Sequence, residues 1–242
     1  MHIPEGTKQI APNAFYGNTT IMTVNIPSSV FSVGARAFLG CNNLTELSIE
    51  EGLVMIDNEA FANCSKLSSL TTVSTLSVIG EGAFINCTCL KEARLSGNSM
   101  TIGVGAFAKC TSLEIVWLSS GVSALSDYTF KDDAKLKYVT VPENLIMISS
   151  NAFSGCKSLT AICEKDSVAD TVLSNICKVN YDNGDCDRDG IVSVMDATSI
   201  QFYLVGRVAY TNENIAFCDA DYDSIISIMD STYIQLDIAN LI

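Results

Sequence analysis

The sequence predicts a parallel-sheet solenoid of 23-residue coils, followed by a small all-α module made of two loop-helix halves. Three observations carry this reading. An Ala-Phe pair recurs at one constant interval, and short apolar stretches between the pairs alternate as strands do. Near the end, two matching acidic loops open at Asp185 and at Asp219. The interval between the loops is longer than the one between the Phe positions, so residues 1–181 and 182–242 read as two domains.

Composition sets the bounds. A chain of 242 residues with 48% hydrophobic content has room for one large domain or two smaller ones, and too much apolar surface to stay disordered. No apolar run reaches the roughly 18 residues of a membrane span. No basic segment leads into an apolar one, so no signal peptide is visible. The first residues enter a repeat partway, and further coils upstream are expected. Net charge is −13, with 11 acidic and 2 basic residues from Asp182 onward against 16 and 12 before it. Such a local field repels nucleic acid and attracts cations.

The coils come first. The repeated Phe stands at 15, 38, 61, 84, 107, 130 and 153, preceded by Ala except at 130, where Thr129 precedes it. Five residues earlier the chain always places Ile10, Val33, Ile56, Ile79, Ile102, Leu125 or Ile148. Six residues later it places Ile21 or a Leu. Seven copies without an insertion mean that each coil buries its apolar side against its neighbours. Three residues after each ring stand Asn18, Cys41, Cys64, Cys87, Cys110, Asp133 and Cys156. Thiols at one inward position of parallel rungs point the same way, which does not suit disulfide geometry. They read as small buried fillers, and free thiols in this number suit a reducing or anaerobic setting. Zinc is disfavoured, because no CxxC pair occurs and the one histidine is His2.

The strands follow. "LTELSI" (Leu44 to Ile49) and "LEIVWL" (Leu113 to Leu118) fit the leucine-rich strand signature L-x-x-L-x-[LI]. Alternation buries Leu47 and Ile49 and turns Glu46, Ser48 and Glu50 outward. The stacked strands should form one parallel sheet with an open face. Its outward rows read Thr23, Glu46, Ser69, Glu92, Ile115, Tyr138, Ala161 and Asn25, Ser48, Thr71, Arg94, Trp117, Thr140, Cys163. This phase exposes Trp117 between Arg94 and Thr140, near Tyr138 and Glu92, a candidate ligand patch of the kind that anchors interfaces. The competing reading is a Trp117 packed flat on neighbouring side chains with no partner.

The repeated pattern resembles the BspA-type leucine-rich repeat, and the resemblance covers roughly residues 3 to 163. It implies an α/β-type leucine-rich repeat solenoid, which is expected to act as a protein- or glycan-interaction module. After the last coil, "EKDSVADTVLSNICKVNY" reads as a helical lid over about 166–181. Ser167 is its N-cap, and Val168, Val172, Leu173 and Ile176 form its apolar stripe.

The final element begins with "GDCDRDGIVSVMDATSI". A hard cation such as Ca2+ takes six to eight oxygens. Here the Asp185, Asp187, Asp189 and Asp196 carboxylates, the Ile191 carbonyl and a water held by Ser193 supply them, with Gly190 making the turn. Asp219, Asp221, Asp223, Ile225, Ser227 and Asp230 repeat the set. Ser224 replaces the turn glycine, at a cost of about 1–2 kcal/mol, so the second site is expected to be weaker.

The residues after each loop also match, Thr198 with Thr232 and Gln201 with Gln235. A duplicated loop-plus-helix unit (F-hand), without an entering helix, resembles a type I-like dockerin. Dockerins plug proteins into the scaffoldins of cellulosomes by binding cohesin modules. That resemblance implies two Ca2+ ions. It places the cohesin contacts at Val194, Met195, Thr198, Gln201 and Phe202 in one half, and at Ile228, Met229, Thr232, Gln235 and Leu236 in the other. It also implies a secreted, extracellular component of a cell-surface cellulosome, engaged in polysaccharide degradation by an anaerobic bacterium. Ile200 and Ile234 read as core.

No catalytic constellation is visible, since no second His serves a nucleophile and no phosphate-binding glycine loop occurs. The chain therefore reads as a non-catalytic interaction protein. A structural spacer, or an enzyme or inhibitor delivered to the complex, are the alternatives. A module of about 60 residues has a marginal core, so Ca2+ binding supplies part of its folding free energy. Chelation is expected to unfold the C-terminal module and leave the solenoid folded, which circular dichroism melts with and without EGTA will show.

Overall fold

The computed structural model describes residues 1–163 and 167–180, together with Ala197, Ile200, Gln201, Leu204, Cys218 and Ile234. Each of seven coils contributes two strands. These are β1 (Gln9–Ile10) and β2 (Thr23–Ile26), β3 (Ser32–Val33) and β4 (Glu46–Ile49), β5 (Met55–Ile56) and β6 (Ser69–Thr71), and β7 (Val78–Ile79) and β8 (Glu92–Leu95). They continue as β9 (Met100–Ile102) and β10 (Ile115–Leu118), β11 (Val122–Leu125) and β12 (Tyr138–Val141), and β13 (Met147–Ile148) and β14 (Thr160–Cys163).

All pairing is parallel, and it forms two walls rather than the one expected. The strands that carry Ile10, Val33, Ile56 and their equivalents make a seven-stranded sheet from β1 to β13. Opposite it, β6 to β14 continue the direction of the β2–β4 pair. The α/β-type coil is thus corrected, for the connection through Phe is a tight turn and not a helix. Its backbone explains why. The residues two before the ring (Asn13, Arg36, Glu59, Gly82, Gly105, Tyr128) and two after it (Gly17, Gly40, Asn63, Asn86, Lys109, Asp132, Gly155) all have φ between 55° and 90°. One left-handed residue on each side of the ring cannot continue a right-handed helix.

The core runs between the walls. Successive Phe rings stack with centroids 5.0 to 5.5 Å apart and planes within 17°. Stacking of this kind adds about 0.5–1.5 kcal/mol per pair beyond the burial of each ring. Backbone bonds run along the same axis. The N–H of Phe38, Phe61 and Phe84 donates to the carbonyl of Ala60, Ala83 and Ala106 in the next coil, at 2.7 to 2.8 Å.

Two details of the last coil depart from expectation. First, β12 pairs with β14 one residue short of the regular interval, Tyr138 beside Thr160 and Thr140 beside Ile162. A one-residue slip exchanges the faces of a strand. Ala161 and Cys163 therefore face the core and Ile162 faces outward, the reverse of the expected rows. Second, the lid is only partly helical. Helix α1 (Val168–Leu173) is capped by Ser167, whose Oγ accepts from the Asp170 N–H at 3.1 Å, and β15 (Lys178–Asn180) then pairs parallel with β14. The buried residues of α1 are Ala169, Asp170 and Leu173, while Val168 lies exposed, so the stripe is rotated from the expected one.

Because a central ring has neighbours on both sides and Phe15 has one, truncation should be graded. Phe84→Ala is expected to lose about 3–5 kcal/mol and Phe15→Ala clearly less, as measured by urea unfolding of the two variants.

Candidate functional site

The outward face of the second wall is the surface on which a ligand patch was expected. Its lateral order is as predicted through β12. Trp117 lies between Arg94 and Thr140, and Ile115 between Glu92 and Tyr138. The face is not uniform. Glu46, Ser48, Ser69 and Thr71 on the earlier strands are exposed, Glu92 and Arg94 are half-buried, and Ile115, Thr140 and Ile162 are at most 1% exposed.

Trp117 itself is 0% exposed, which corrects its expected exposure. The Arg94 guanidinium carbon stands 3.9 Å from the ring centroid, a cation–π contact. Ile115, Ile162 and half-buried Tyr138 complete a small apolar cluster apart from the main core. The register slip that turns Ile162 outward supplies part of this cluster, and the apolar Ile162 was its sequence signal. The open surface lies instead toward the first coils. A depression of about 430 Å3 there is lined by Thr23, Asn25, Glu46, Ser48 and Ser69.

The thiol ladder proves to do more than fill space. Cys41, Cys64, Cys87, Cys110 and Cys156 each donate from Sγ to the carbonyl of the preceding coil's Phe, at 3.1 to 3.4 Å. Burial pushes the Cys87 and Cys156 thiols up to about 12 and Cys110 well above its ordinary value. Thiolate chemistry is thereby suppressed along the ladder. No disulfide joins Cys41, Cys64, Cys87, Cys110 or Cys156. Among the described residues no group of three or more His, Cys, Asp or Glu side chains gathers where it could hold a metal ion.

Asp133 interrupts this ladder. It is 0% exposed, its Oδ1 accepts from the Cys110 N–H at 2.7 Å, and its Oδ2 has no hydrogen-bond partner among the described residues. Burial, opposed by the Cys110 N–H and reinforced by the Asp132 charge, pushes its pKa up to about 9. The carboxyl is therefore neutral at pH 7.

The expected calcium ligands Asp185, Asp187, Asp189, Ile191, Ser193, Asp196, Asp219, Asp221, Asp223, Ile225, Ser227 and Asp230 lie outside the described residues. So do Val194, Met195, Thr198, Phe202, Ile228, Met229, Thr232, Gln235 and Leu236 among the expected cohesin contacts. Gln201, the remaining one, is helical and exposed. Ile200 and Ile234, expected as core, are helical and at most 2% exposed. Cys218 is helical as well, immediately ahead of the second loop, where no entering helix was expected.

A family model described as a BspA type leucine rich repeat region, in six copies, matches residues 1–114 and 55–174. Among solved structures, a leucine-rich repeat protein from Bacteroides ovatus is 31% identical with a TM-score of 0.60, over 68% of this chain and 45% of that one. A leucine-rich repeat protein of T. pallidum is 30% identical with a TM-score of 0.62, over 75% of this chain and 85% of that one. The pneumococcal vaccine antigen PcpA, 18% identical with a TM-score of 0.62 over 72% of this chain and 44% of that one, shares the fold. The chain thus spans less than half of the Bacteroides ovatus and pneumococcal proteins. No curated protein matches it.

The buried carboxyl sets a pH dependence. The unfolded chain releases the Asp133 proton near 3.8, whereas the folded chain keeps it until about 9, so stability falls as pH rises across that window. Asp133→Cys restores the ladder and removes an unsatisfied buried atom worth about 1–3 kcal/mol. At about 2–4 °C per kcal/mol for a chain of this size, melts at pH 7 are expected to rise by several degrees. The slope between pH 4 and 9 should flatten, in Asp133→Asn as well.

Proposed function

The chain belongs to the family of BspA-type leucine-rich repeat proteins, and we propose that it is a non-catalytic interaction protein carrying a calcium-dependent dockerin over residues 182–242. The solenoid offers a protein or glycan the exposed polar rows of its first three coils, where Glu46, Ser48, Ser69 and Thr71 face solvent. A wide, exposed polar surface of this kind suits recognition.

The observation that carries the dockerin reading is the recurrence of a loop with four carboxylates at positions 1, 3, 5 and 12, once from Asp185 and again from Asp219. All-oxygen donors in that pattern match Ca2+ chemistry. Helical, buried Ile200 and Ile234, one in each half at the same offset, support two equivalent helices. In this reading cohesin meets the exits of the loops and the helices beyond, and tethers the chain to a scaffoldin outside an anaerobic cell. Buried, free thiols fit such a setting. The burial of Trp117 favours one alternative for the solenoid, a spacer without a ligand of its own.

Calorimetric titration against a panel of cohesins, in Ca2+ and again in EGTA, tests the proposal. Tight binding that EGTA abolishes is the expected result. Ca2+ binding without affinity for any cohesin would overturn the dockerin reading and leave the solenoid assignment intact.

A further inference from the structure

Charge is sorted around the coil. Residues 1–163 hold ten Lys and Arg against thirteen Asp and Glu. Seven of those ten cations fall within the seven residues that follow a repeated Phe, and three of the thirteen acids do. That stretch joins the tight turn to the second wall and forms one side of the solenoid. The first two coils carry no charge there. Every coil from the third to the seventh places a lysine on it, as Lys66, Lys91, Lys109, Lys135 and Lys157, with Lys131 and Lys137 beside Lys135. Acidic residues gather ahead of the ring instead, as Asp57, Glu59, Glu81 and Asp127.

Backbone bonds keep this side in register from coil to coil. The Glu114 N–H donates to the Lys91 carbonyl at 2.8 Å, the Lys137 N–H to the Glu114 carbonyl at 2.9 Å, and the Lys109 N–H to the Lys131 carbonyl at 2.7 Å. At about 4.8 Å per coil, the lysines run about 19 Å along the axis. Lys137 approaches Glu114 at 4.0 Å, and the Lys131 Nζ stands 4.8 Å over the Tyr128 ring. Lys91, Lys109, Lys135 and Lys157 are exposed and make no ion pair among the described residues. Of the three acids on this side, Asp133 is buried and neutral at pH 7. Glu114 and Asp132 therefore stand against seven lysines, and a positive strip crosses a chain whose net charge is −13.

We propose that this strip binds an acidic polysaccharide, a linear sugar chain bearing carboxylates, laid along the solenoid axis across the third to seventh coils. The residue types select that class. From the fourth coil onward the strip holds no aromatic ring and no Arg. Nucleic-acid bases and uncharged sugar rings find no face to stack on there, so charge on the polymer has to carry the contact. Protein interfaces are ordinarily depleted in Lys and enriched in aromatic residues and Arg, the reverse of this surface. Lysine is a point charge on a flexible stem, which lets successive coils meet carboxylates whose spacing differs from the coil rise. Thr111, Ser112 and Ser158 stand among the lysines, and their hydroxyls donate to and accept from sugar hydroxyls. The strip is separate from the polar rows of the first three coils, and the inference rests on the solenoid alone.

Calorimetric titration of the full chain with oligogalacturonate, at physiological ionic strength and in EGTA so that Ca2+ bridges no carboxylates, tests the inference. Saturable binding that weakens as salt is raised is expected. Replacing Lys91, Lys109, Lys135 and Lys157 together by Gln should weaken it by roughly tenfold or more. Replacing the same four by Arg should retain it. Lys8→Gln, which removes an exposed lysine just ahead of β1, should leave affinity unchanged. All the replaced side chains are exposed, so thermal melts of the variants should match the parent. Absence of binding, or affinity that the four Gln replacements leave intact, would overturn the inference. Equal affinity for an uncharged xylo-oligosaccharide would also overturn it, because charge would then not carry the contact. Single-stranded DNA bound as tightly as oligogalacturonate would contradict the choice of polymer.

Discussion

In every coil from the first to the sixth, the Phe N–H reaches forward to the carbonyl just ahead of the next ring, while N–H groups just after the strands, such as those of Gly34 and Asp57, reach back to Ile10 and Val33. No coil satisfies its own backbone. Buried polar groups left unpaired are costly, so the fold depends on neighbours arriving in register. The repeated rings serve the same constraint. A centroid spacing of 5.0 to 5.5 Å is close to the strand spacing, so stacking and sheet pairing are satisfied by one rise. The thiol at the next inward position adds a third tie between coils, because its acceptor is the carbonyl of the preceding ring's residue.

Once register is fixed by these contacts, departures have to be local. Asp133 occupies a thiol's place and stays neutral to do so. Lys109 and Asp132 hold left-handed conformations that Gly or Asn holds elsewhere, because the turn must close at that residue whatever its side chain. The shortened offset between β12 and β14 falls in the last coil, where the only following strand among the described residues is β15. The same shift in a middle coil would turn two neighbouring strands inside out.

Much of this was legible in the sequence. The Phe, Leu and Cys rows name the core almost residue by residue, since a strict period leaves one inward position for each. Ser167 as the N-cap followed from its place before an apolar run. The seven-stranded wall from β1 to β13 was harder to see, because most of its strands are two residues long and show no alternation. The slip in the last coil hid behind an unbroken Phe and Leu spacing, and only the swap of apolar Ile162 for outward polar residues marked it. The burial of Trp117 was not legible, because strand phase alone puts it on the outward row and says nothing of how closely Arg94, Ile115 and Ile162 pack around it. The acidic loops stand differently. Their chemistry is read from donor types and spacing alone, because their residues lie outside the described ones.

The resulting molecule has a self-registering body, an exposed polar face at its first coils and a buried aromatic cluster toward its last. Amide hydrogen exchange under mild denaturant tests most directly whether coils stand only through their neighbours, since repeat arrays of this kind open from the ends. The account predicts that the amides of Phe61 and Phe84 have the highest opening free energies, with protection falling toward Phe15. Equal protection at Phe15 and Phe84 would mean that each coil holds itself, and would contradict it.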